Sequence, residues 1–273
     1  MINGRQCTII WHIDNLKISH VDKKVVEDII TCLNNKFGNE SPLSTTQGKV
    51  LEYLGMTHDY MVAGKVKICM YEFKMLDELP TNMYRSAKTP AAGHLFNVNL
   101  EARKLPEVSA QIFHNLVAKL LYLSRCARQD IQTAVTFLCT KVQARDEDNY
   151  KKLARVMQYL CCTKEMTLMI APGDNAQWWV DSSYAVHPDM HSQSGIVMTL
   201  GKGVTYSTSC KQKINMISST EAVLVAIDYE TGQILWMRHF LEGQGMTVPM
   251  TTLFQDNKST ILLAENGTTS SSK

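Results

Sequence analysis

The sequence predicts an α/β protein, and three observations carry the prediction. After residue 172 the runs WWVDSSY, SGIVMTLG and VTYSTSC read as three strands divided by turn residues, with Gly201 and Gly203 at the second turn. A helical pattern then runs from Ser219 to about Leu241 and closes at Gly243, followed by strand-like TTLFQD and helical NKSTILLAE. Three strands, a helix, a strand and a helix is the order of an α/β layer. The composition agrees: 273 residues with 45% hydrophobic and 20% charged residues supply apolar material for one large domain or two modest ones.

From the N-terminus, TIIWHIDNLKISH has two apolar arms that read as a tight hairpin, with Asp14 and Asn15 between them. VDKKVVEDIITCLNNKFG sets Val26, Ile29, Ile30, Leu33 and Phe37 on one helical face, ended by Gly38. VLEYLGMTHDY and GKVKICM read as two short strands around Met61–Gly64, followed by a short helix from Tyr71. Residues 85–108 carry Pro90 and Pro106 and little periodicity, as an extended connector does. Three helical patterns follow. They lie at 109–124 (Ile112, Phe113, Leu116, Leu120 and Leu123 inward), at 130–142, and at 147–162 (Tyr150, Leu153, Val156, Met157 and Leu160 inward). APGDN at 171–175 is a second break, so the chain divides into 1–84, 85–172 and 173–273.

Other features bound the function. The formal charge of +2 gives no global basic field, although a local groove of Lys and Arg can still bind nucleic acid. No run approaches the roughly 18 apolar residues of a membrane helix, and the N-terminus lacks the cleavage site of a signal peptide. Eight cysteines without a C-x-x-C pair read as small buried hydrophobes in a reducing compartment, not as zinc ligands.

Three carboxylates stand where chemistry is easily done. Asp181 interrupts the first strand of the last segment, Glu221 lies in the first turn of the long helix, and Asp256 closes the fourth strand. Acids at strand ends and a helix start suit hard, oxygen-preferring cations such as Mg²⁺, and two such ions can drive phosphodiester cleavage. Each acid also has a plain structural role open to it. Ser218-Ser219-Thr220-Glu221 is a capping box, and Asp256-Asn257 can cap the following helix. Asp181 can be a turn residue, although a carboxylate inside WWVDSSY is expected to be partly buried and in need of a partner.

The chain resembles the C-terminal part of the polyprotein of Ty1/copia-type retrotransposons, where the end of the reverse transcriptase is followed by ribonuclease H. IIWHIDNLKIS resembles the polymerase strand–turn–strand with its aromatic-x-Asp-Asp motif, and LEYLGM the strand after it. FHNLVAKLLYLSRCARQDIQTAV and YKKLARVMQYLCCTKEMTL resemble two further family blocks. WWVDSSYAVHPDMHSQSGIVMTLG, ISSTEAVLVAI and LFQDNKSTILLAENG resemble the three ribonuclease H blocks. The resemblance implies a ribonuclease H-like mixed sheet with flanking helices at 173–273. It implies a remnant of the polymerase palm, α+β in class, at 1–84, and a connector with a helical thumb or connection segment at 85–172.

Carried over by position, the family's active-site acids fall on Asp181, Glu221 and Asp256, holding two Mg²⁺ ions, with Mn²⁺ as a substitute, against the RNA strand of an RNA–DNA hybrid. Val223 stands where the family usually has a further acid. The family continues past ENGTTSSSK into a His-x-Asp segment with a fourth acid and a last helix. Asp14 matches the first polymerase aspartate and Asn15 replaces the second. An amide carries no charge to balance Mg²⁺, and the family's earlier palm acid lies upstream of this sequence, so the resemblance implies no template copying by this chain alone. It implies the remaining polyprotein as a partner, no membrane, and a cytoplasmic particle with the nucleus as later destination.

Two rival readings stay open: a module that binds nucleic acid without cutting it, and a decayed element. For the first, Lys202, Lys211 and Lys213 offer phosphate contacts, and Trp178 and Trp179 a stacking surface. A solvated lysine edge over core tryptophans is the plainer account. His187 and His191 are four apart, but Pro188 argues against the helix that would join them on one metal. Ser207-Thr208-Ser209-Cys210 has no neighbouring His–acid pair to activate it.

Overall fold

The structure, a computed structural model, describes residues 1–39, 41–70 and 86–267. It begins with a hairpin of β1 (Thr8–His12) and β2 (Asn15–Ser19) joined across Ile13 and Asp14. Ile13 has φ +53°, a conformation that β-branched side chains resist. Helix α1 (Lys23–Phe37) is capped by Asp22, whose carboxylate accepts the Lys24 N–H. Its expected inward face is poorly covered: Val26, Ile29, Ile30 and Leu33 are half-buried and Phe37 is exposed, while Val25 is the buried residue of the helix.

Three strands follow where the sequence predicted two: β3 (Val50–Tyr53), β4 (Met56–Asp59) and β5 (Val66–Cys69). The added turn is Leu54-Gly55, at φ +52° and +70°. It closes β3 on β4 as a two-residue hairpin, and its apolar Leu54 hides the turn inside VLEYLGM. The helix expected from Tyr71 lies outside the described residues.

The connector has no helix or strand between residues 86 and 106 apart from a single bridge, Lys104 to Asp146. Helices α2 (Glu107–Cys126), α3 (Gln132–Cys139) and α4 (Glu147–Cys162) then form a layer, with a 3₁₀ turn at Gln129–Ile131. The predicted inward residues Phe113, Leu116, Leu120, Leu123, Leu153, Val156, Met157 and Leu160 meet in one buried cluster with Ile131, Val135, Phe137 and Leu138. Ile112 and Tyr150 pack at its edge. Each fully buried side chain contributes about 1.5–3 kcal/mol. Buried Arg128 ties the layer's ends together: it grips Asp130 through two bonds (2.9 and 2.8 Å) and donates to the Thr163 carbonyl (3.0 Å) and hydroxyl (2.7 Å).

The main sheet has the order β3-β4-β5-β6-β7-β8, where β6 is Leu168–Ser183, β7 His191–Lys202 and β8 Val204–Asn215. These neighbours are all antiparallel, while β9 (Thr252–Phe254) joins β6 in parallel. The break expected at APGDN is an irregularity inside one long strand. β5 pairs with Leu168–Ile170, and β7 pairs on both sides of a register shift between Pro172 and Gln177. Gly201 is required here, because a Cβ would stand 2.3–2.5 Å from the backbone of residues 171–173.

Helix α5 (Ser219–Gly243) covers one face of this sheet, where Trp178, Val180, Ile196 and Met198 pack with Ala226. Helix α6 (Lys258–Asn266) ends at Gly267 in the left-handed conformation. The whole is a mixed α/β architecture compatible with a ribonuclease H-like fold. All eight cysteines are free, but only Cys69 is buried, and Cys32 and Cys162 are exposed. Cys139 and Cys161 pack, half-buried, against the helical core, so the expected role as small core hydrophobes holds for some of the eight and not for the exposed pair.

Candidate functional site

Strand alternation decides which β6 residues reach the open face of the sheet. Trp178 points toward α5 and is 1% exposed; Trp179, on the other face, is 39% exposed. Asp181 shares the face of Trp179. It is exposed, contrary to the burial expected inside WWVDSSY, and its carboxylate accepts the N–H of neighbouring Ser182 at 2.7 Å. Its cross-strand partner on β7 is Gly195. A Cβ on Gly195 would meet nothing within 4 Å, so this glycine leaves open space beside the carboxylate.

β9 brings in the second acid. Phe254 lies beside Trp179 with the rings stacked at 5.3 Å and 18°. The chain then turns through Gln255, whose side-chain oxygen accepts the N–H groups of Asp256 (2.5 Å) and Asn257 (2.9 Å). Asn257, not Asp256, caps α6 by accepting the Thr260 N–H at 3.1 Å. The exposed Asp256 carboxylate makes no hydrogen bond or ion pair among the described residues. Asp181 and Asp256 line one cleft of about 570 Å³, floored by Trp179, Val197 and Phe254 and walled by Gln129, Gln132 and Thr133 of the helical layer. Gln132 anchors that wall by donating to the Ser207 carbonyl at 3.0 Å.

Glu221 does not line this cleft. Its carboxylate accepts the Ile217 N–H at 2.7 Å, while the Ser218 hydroxyl accepts the Glu221 N–H at 3.2 Å. It thus binds back to the helix N-terminus, as the sequence allows. Among the described residues no three His, Cys, Asp or Glu side chains converge closely enough to hold a metal ion. The donor set fits a hard cation at two positions, Asp181 and Asp256, and the third acid is engaged elsewhere.

The remaining candidates separate. Lys211 pairs with Asp189, whose carboxyl it holds down at about 2. Lys213 lies two residues beyond it on β8 and is exposed. Lys202, at the far end of β7, lies nine residues from the Lys211 partner Gln193, about 30 Å along the strand. The three lysines do not form one patch. His187 is buried between Phe96 and Phe137 and bonds Gln193 at 2.9 Å, a packing role. At the N-terminal hairpin the Asn15 amide donates to Asp14 at 2.9 Å, and both are exposed. The sequence reading missed Gly195, Phe254 and the helical wall. Only Gly195 left a signal, as a glycine within a strand pattern, which often marks close approach or open space.

No family model matches the chain. It is similar to the retrovirus-related Pol polyprotein from transposon TNT 1-94 of Nicotiana tabacum, 23% identical over 205 residues that cover 72% of this chain and 15% of that protein. It is similar to the transposon Ty5-1 protein of Saccharomyces cerevisiae, 25% identical over 181 residues covering 64% of this chain and 58% of that protein. A third relative is the Pol polyprotein from transposon RE2 of Arabidopsis thaliana, 26% identical over 167 residues covering 60% of this chain and 11% of that protein. The matches thus span from about a tenth to just over half of these relatives' lengths. They support a likeness to retrotransposon polyproteins over the covered residues.

Proposed function

We propose that the chain is the reverse transcriptase–ribonuclease H part of a Ty1/copia-type polyprotein, and that its cleft hydrolyses the RNA strand of an RNA–DNA hybrid. The observation that carries this reading is that Asp181, on β6, and Asp256, two residues past the parallel strand β9, line one open cleft. The lining of that cleft includes two carboxylates and no Lys or Arg. A phosphate backbone is therefore repelled from it until a cation intervenes.

Asp181 and Asp256 are the residues that would hold Mg²⁺, which when bound supplies a Lewis acid to activate water and stabilise the leaving oxygen. The chain's own residues do the rest. The Trp179–Phe254 stack gives a rigid apolar floor, Gly195 leaves room beside Asp181, and Gln132 fixes the helical wall. Glu221 holds the Ile217 amide through one carboxylate oxygen, which leaves its other oxygen for any role toward the cleft. No template copying is assigned to the Asp14–Asn15 hairpin, where an amide stands beside the one carboxylate.

The test is Mg²⁺-dependent cleavage of a labelled RNA–DNA hybrid by the full chain, with Asp181→Asn and Asp256→Asn as controls. Cleavage that falls to background in both variants is the expected outcome. A folded protein that binds the hybrid and leaves it intact replaces the hydrolase by a binding module.

A further inference from the structure

Three lysines from three separate segments converge at the end of helix α3 that lies away from the acidic cleft. The ammonium groups of Lys141, just past α3, and Lys152, on α4, stand 5.3 and 5.0 Å from the centre of the buried Phe137 ring. His187 stacks on the same ring and bonds Gln193, whose cross-strand partner on β8 is Lys211. Burial pushes the Lys141 ammonium below the usual lysine range, and the positive charges of Lys211 and Lys152 push it the same way. The three cations are therefore close enough to repel one another.

The acids nearby are engaged elsewhere. Asp148 pairs with Lys152 at 2.9 Å, Asp189 pairs with Lys211, and Asp146 caps α4 by accepting the Asn149 N–H at 2.7 Å. Asp146 and Asp189 oppose the shift at Lys141 without reversing it. Lys141 itself is half-buried and makes no ion pair or hydrogen bond among the described residues. An ammonium that has lost part of its hydration and has no paired anion gains a charge-assisted bond from an anion that arrives from outside.

The position of the cluster names the anion. Register puts Asp181, Gly195 and Ser209 in one cross-strand row, and Ser183, Gln193 and Lys211 in the next row on the same face. Lys211 thus lies two strands across and two residues along from Asp181, about 12 Å away. Helix α3 spans the same interval: Thr133 lines the cleft, and Lys141 follows it at about 12 Å along the axis. Between them the outer side of the helix carries Thr136 and Thr140 at helical spacing, and no acid. At about 3.4 Å per nucleotide, this interval is roughly three to four nucleotides of one strand, so a strand with one phosphate at the cleft brings another to Lys141. We infer that Lys141, beside Lys152 and Lys211, receives a backbone phosphate of the nucleic acid whose scissile bond lies in the cleft. The choice of nucleic acid rests on the hydrolase reading above; the site itself rests on the lysines.

Fluorescence anisotropy of a labelled RNA–DNA hybrid across a salt series tests this, with circular dichroism to verify the folding of every variant. The full chain carries Asp181→Asn and Asp256→Asn and is kept in EDTA, which removes the cleft charges and any cleavage. In that background Lys141→Gln is expected to weaken binding about tenfold, the value of one charge-assisted hydrogen bond, and to lower the salt slope by about one. Lys141→Arg keeps the charge and is expected to retain the slope, as is Lys36→Gln on the exposed end of α1. A background protein that does not bind the hybrid overturns the inference, and so does a slope that Lys141→Gln leaves unchanged or that Lys36→Gln lowers equally. Cleavage in Mg²⁺ by the unsubstituted chain is scored apart. A Lys141-dependent slope without cleavage keeps the phosphate contact and removes the hydrolase; cleavage with a slope independent of Lys141 does the reverse.

Discussion

Phe113, Leu120, Ile131 and Phe137 in the helical layer have no exposed surface, whereas Ile9, Ile10, Trp11 and Ile13 in the N-terminal hairpin are between 47% and 80% exposed. Both regions are rich in large apolar residues, carried on regular secondary structure or, for Ile13, on the turn that joins it. The difference is what stands opposite. Helices α2, α3 and α4 supply walls to one another, and the connector adds Leu95 and Phe96 as a lid over the same cluster. The two-stranded hairpin reaches the main sheet through Lys17, which donates to the Tyr60 hydroxyl at 2.8 Å, but among the described residues no layer covers its large apolar side chains. Apolar content does not stabilise a segment until something excludes water from it, and a lone hairpin is marginal by itself.

The largest effect that sharpens this contrast is a pair of aromatic truncations. Phe137→Ala leaves a cavity in the helical layer and is expected to cost about 3–5 kcal/mol. Trp11→Ala removes an even larger side chain, yet is expected to change stability by no more than about 0.5 kcal/mol. Urea unfolding followed by helical circular dichroism measures both. A Trp11→Ala cost approaching that of Phe137→Ala would break the comparison, because it would mean that the hairpin is covered in solution.

Charged pairs repeat the contrast at smaller scale. Arg128 and Asp130 form a pair whose arginine side chain is 5% exposed, while Lys23 and Glu27 on α1 pair across one helical turn in open solvent. Arg128→Ala leaves the Thr163 carbonyl without its arginine donor and Asp130 with the Tyr159 hydroxyl alone, and is expected to cost about 3 kcal/mol. Lys23→Ala is expected to cost about 0.5 kcal/mol or less. The same urea titrations separate the two. Equal costs would show that the Arg128 pair is solvated.

The same distinction explains what could be read before the structure. Periodicity identified which residues share a face: Phe113, Leu116, Leu120 and Leu123 on α2, and Val26, Ile29, Ile30, Leu33 and Phe37 on α1. It carries no information on whether a partner layer exists, so the α1 face was legible as a stripe and illegible as surface. Turn chemistry was readable where it used Gly201 and Gly203. It was hidden where apolar Leu54 adopted a positive φ beside Gly55. At the site, Asp181 and Asp256 stood out because strands β6 and β9 carry acids at or just past the residues they pair through. Cross-strand neighbours such as Gly195 and Phe254 depend on register, and the wall of Gln129 and Gln132 depends on how the helical layer docks. Neither is encoded within a single segment. For Glu221 the sequence supports both a capping role and a ligand role, and the 2.7 Å bond to Ile217 shows the first without bearing on the second.

Titration extends the comparison of buried and exposed groups into a prediction of smaller size. Glu230 is buried beneath the sheet with the Tyr206 hydroxyl donating to it at 3.0 Å. Burial pushes its carboxyl above the ordinary 4.5, and the tyrosine bond opposes this only in part. The folded protein therefore keeps a proton that the unfolded chain releases. This contribution to stability is fully present below pH 4.5 and is lost as pH rises through the folded value. Asp189, half-exposed beside Lys211, has the opposite sign: held at about 2 against an ordinary 3.8, it adds stability above 3.8 and loses it as pH falls toward 2. Glu230→Gln retains an acceptor for Tyr206 and removes the buried charge. It is expected to match the parent near pH 4 and to exceed it in urea midpoint at pH 7, whereas Asp189→Asn is expected to lie slightly below the parent at pH 7, its gap closing as the solution is acidified. An unchanged gap between Glu230→Gln and the parent from pH 4 to 7 would mean that the Glu230 side chain reaches water when the protein is folded.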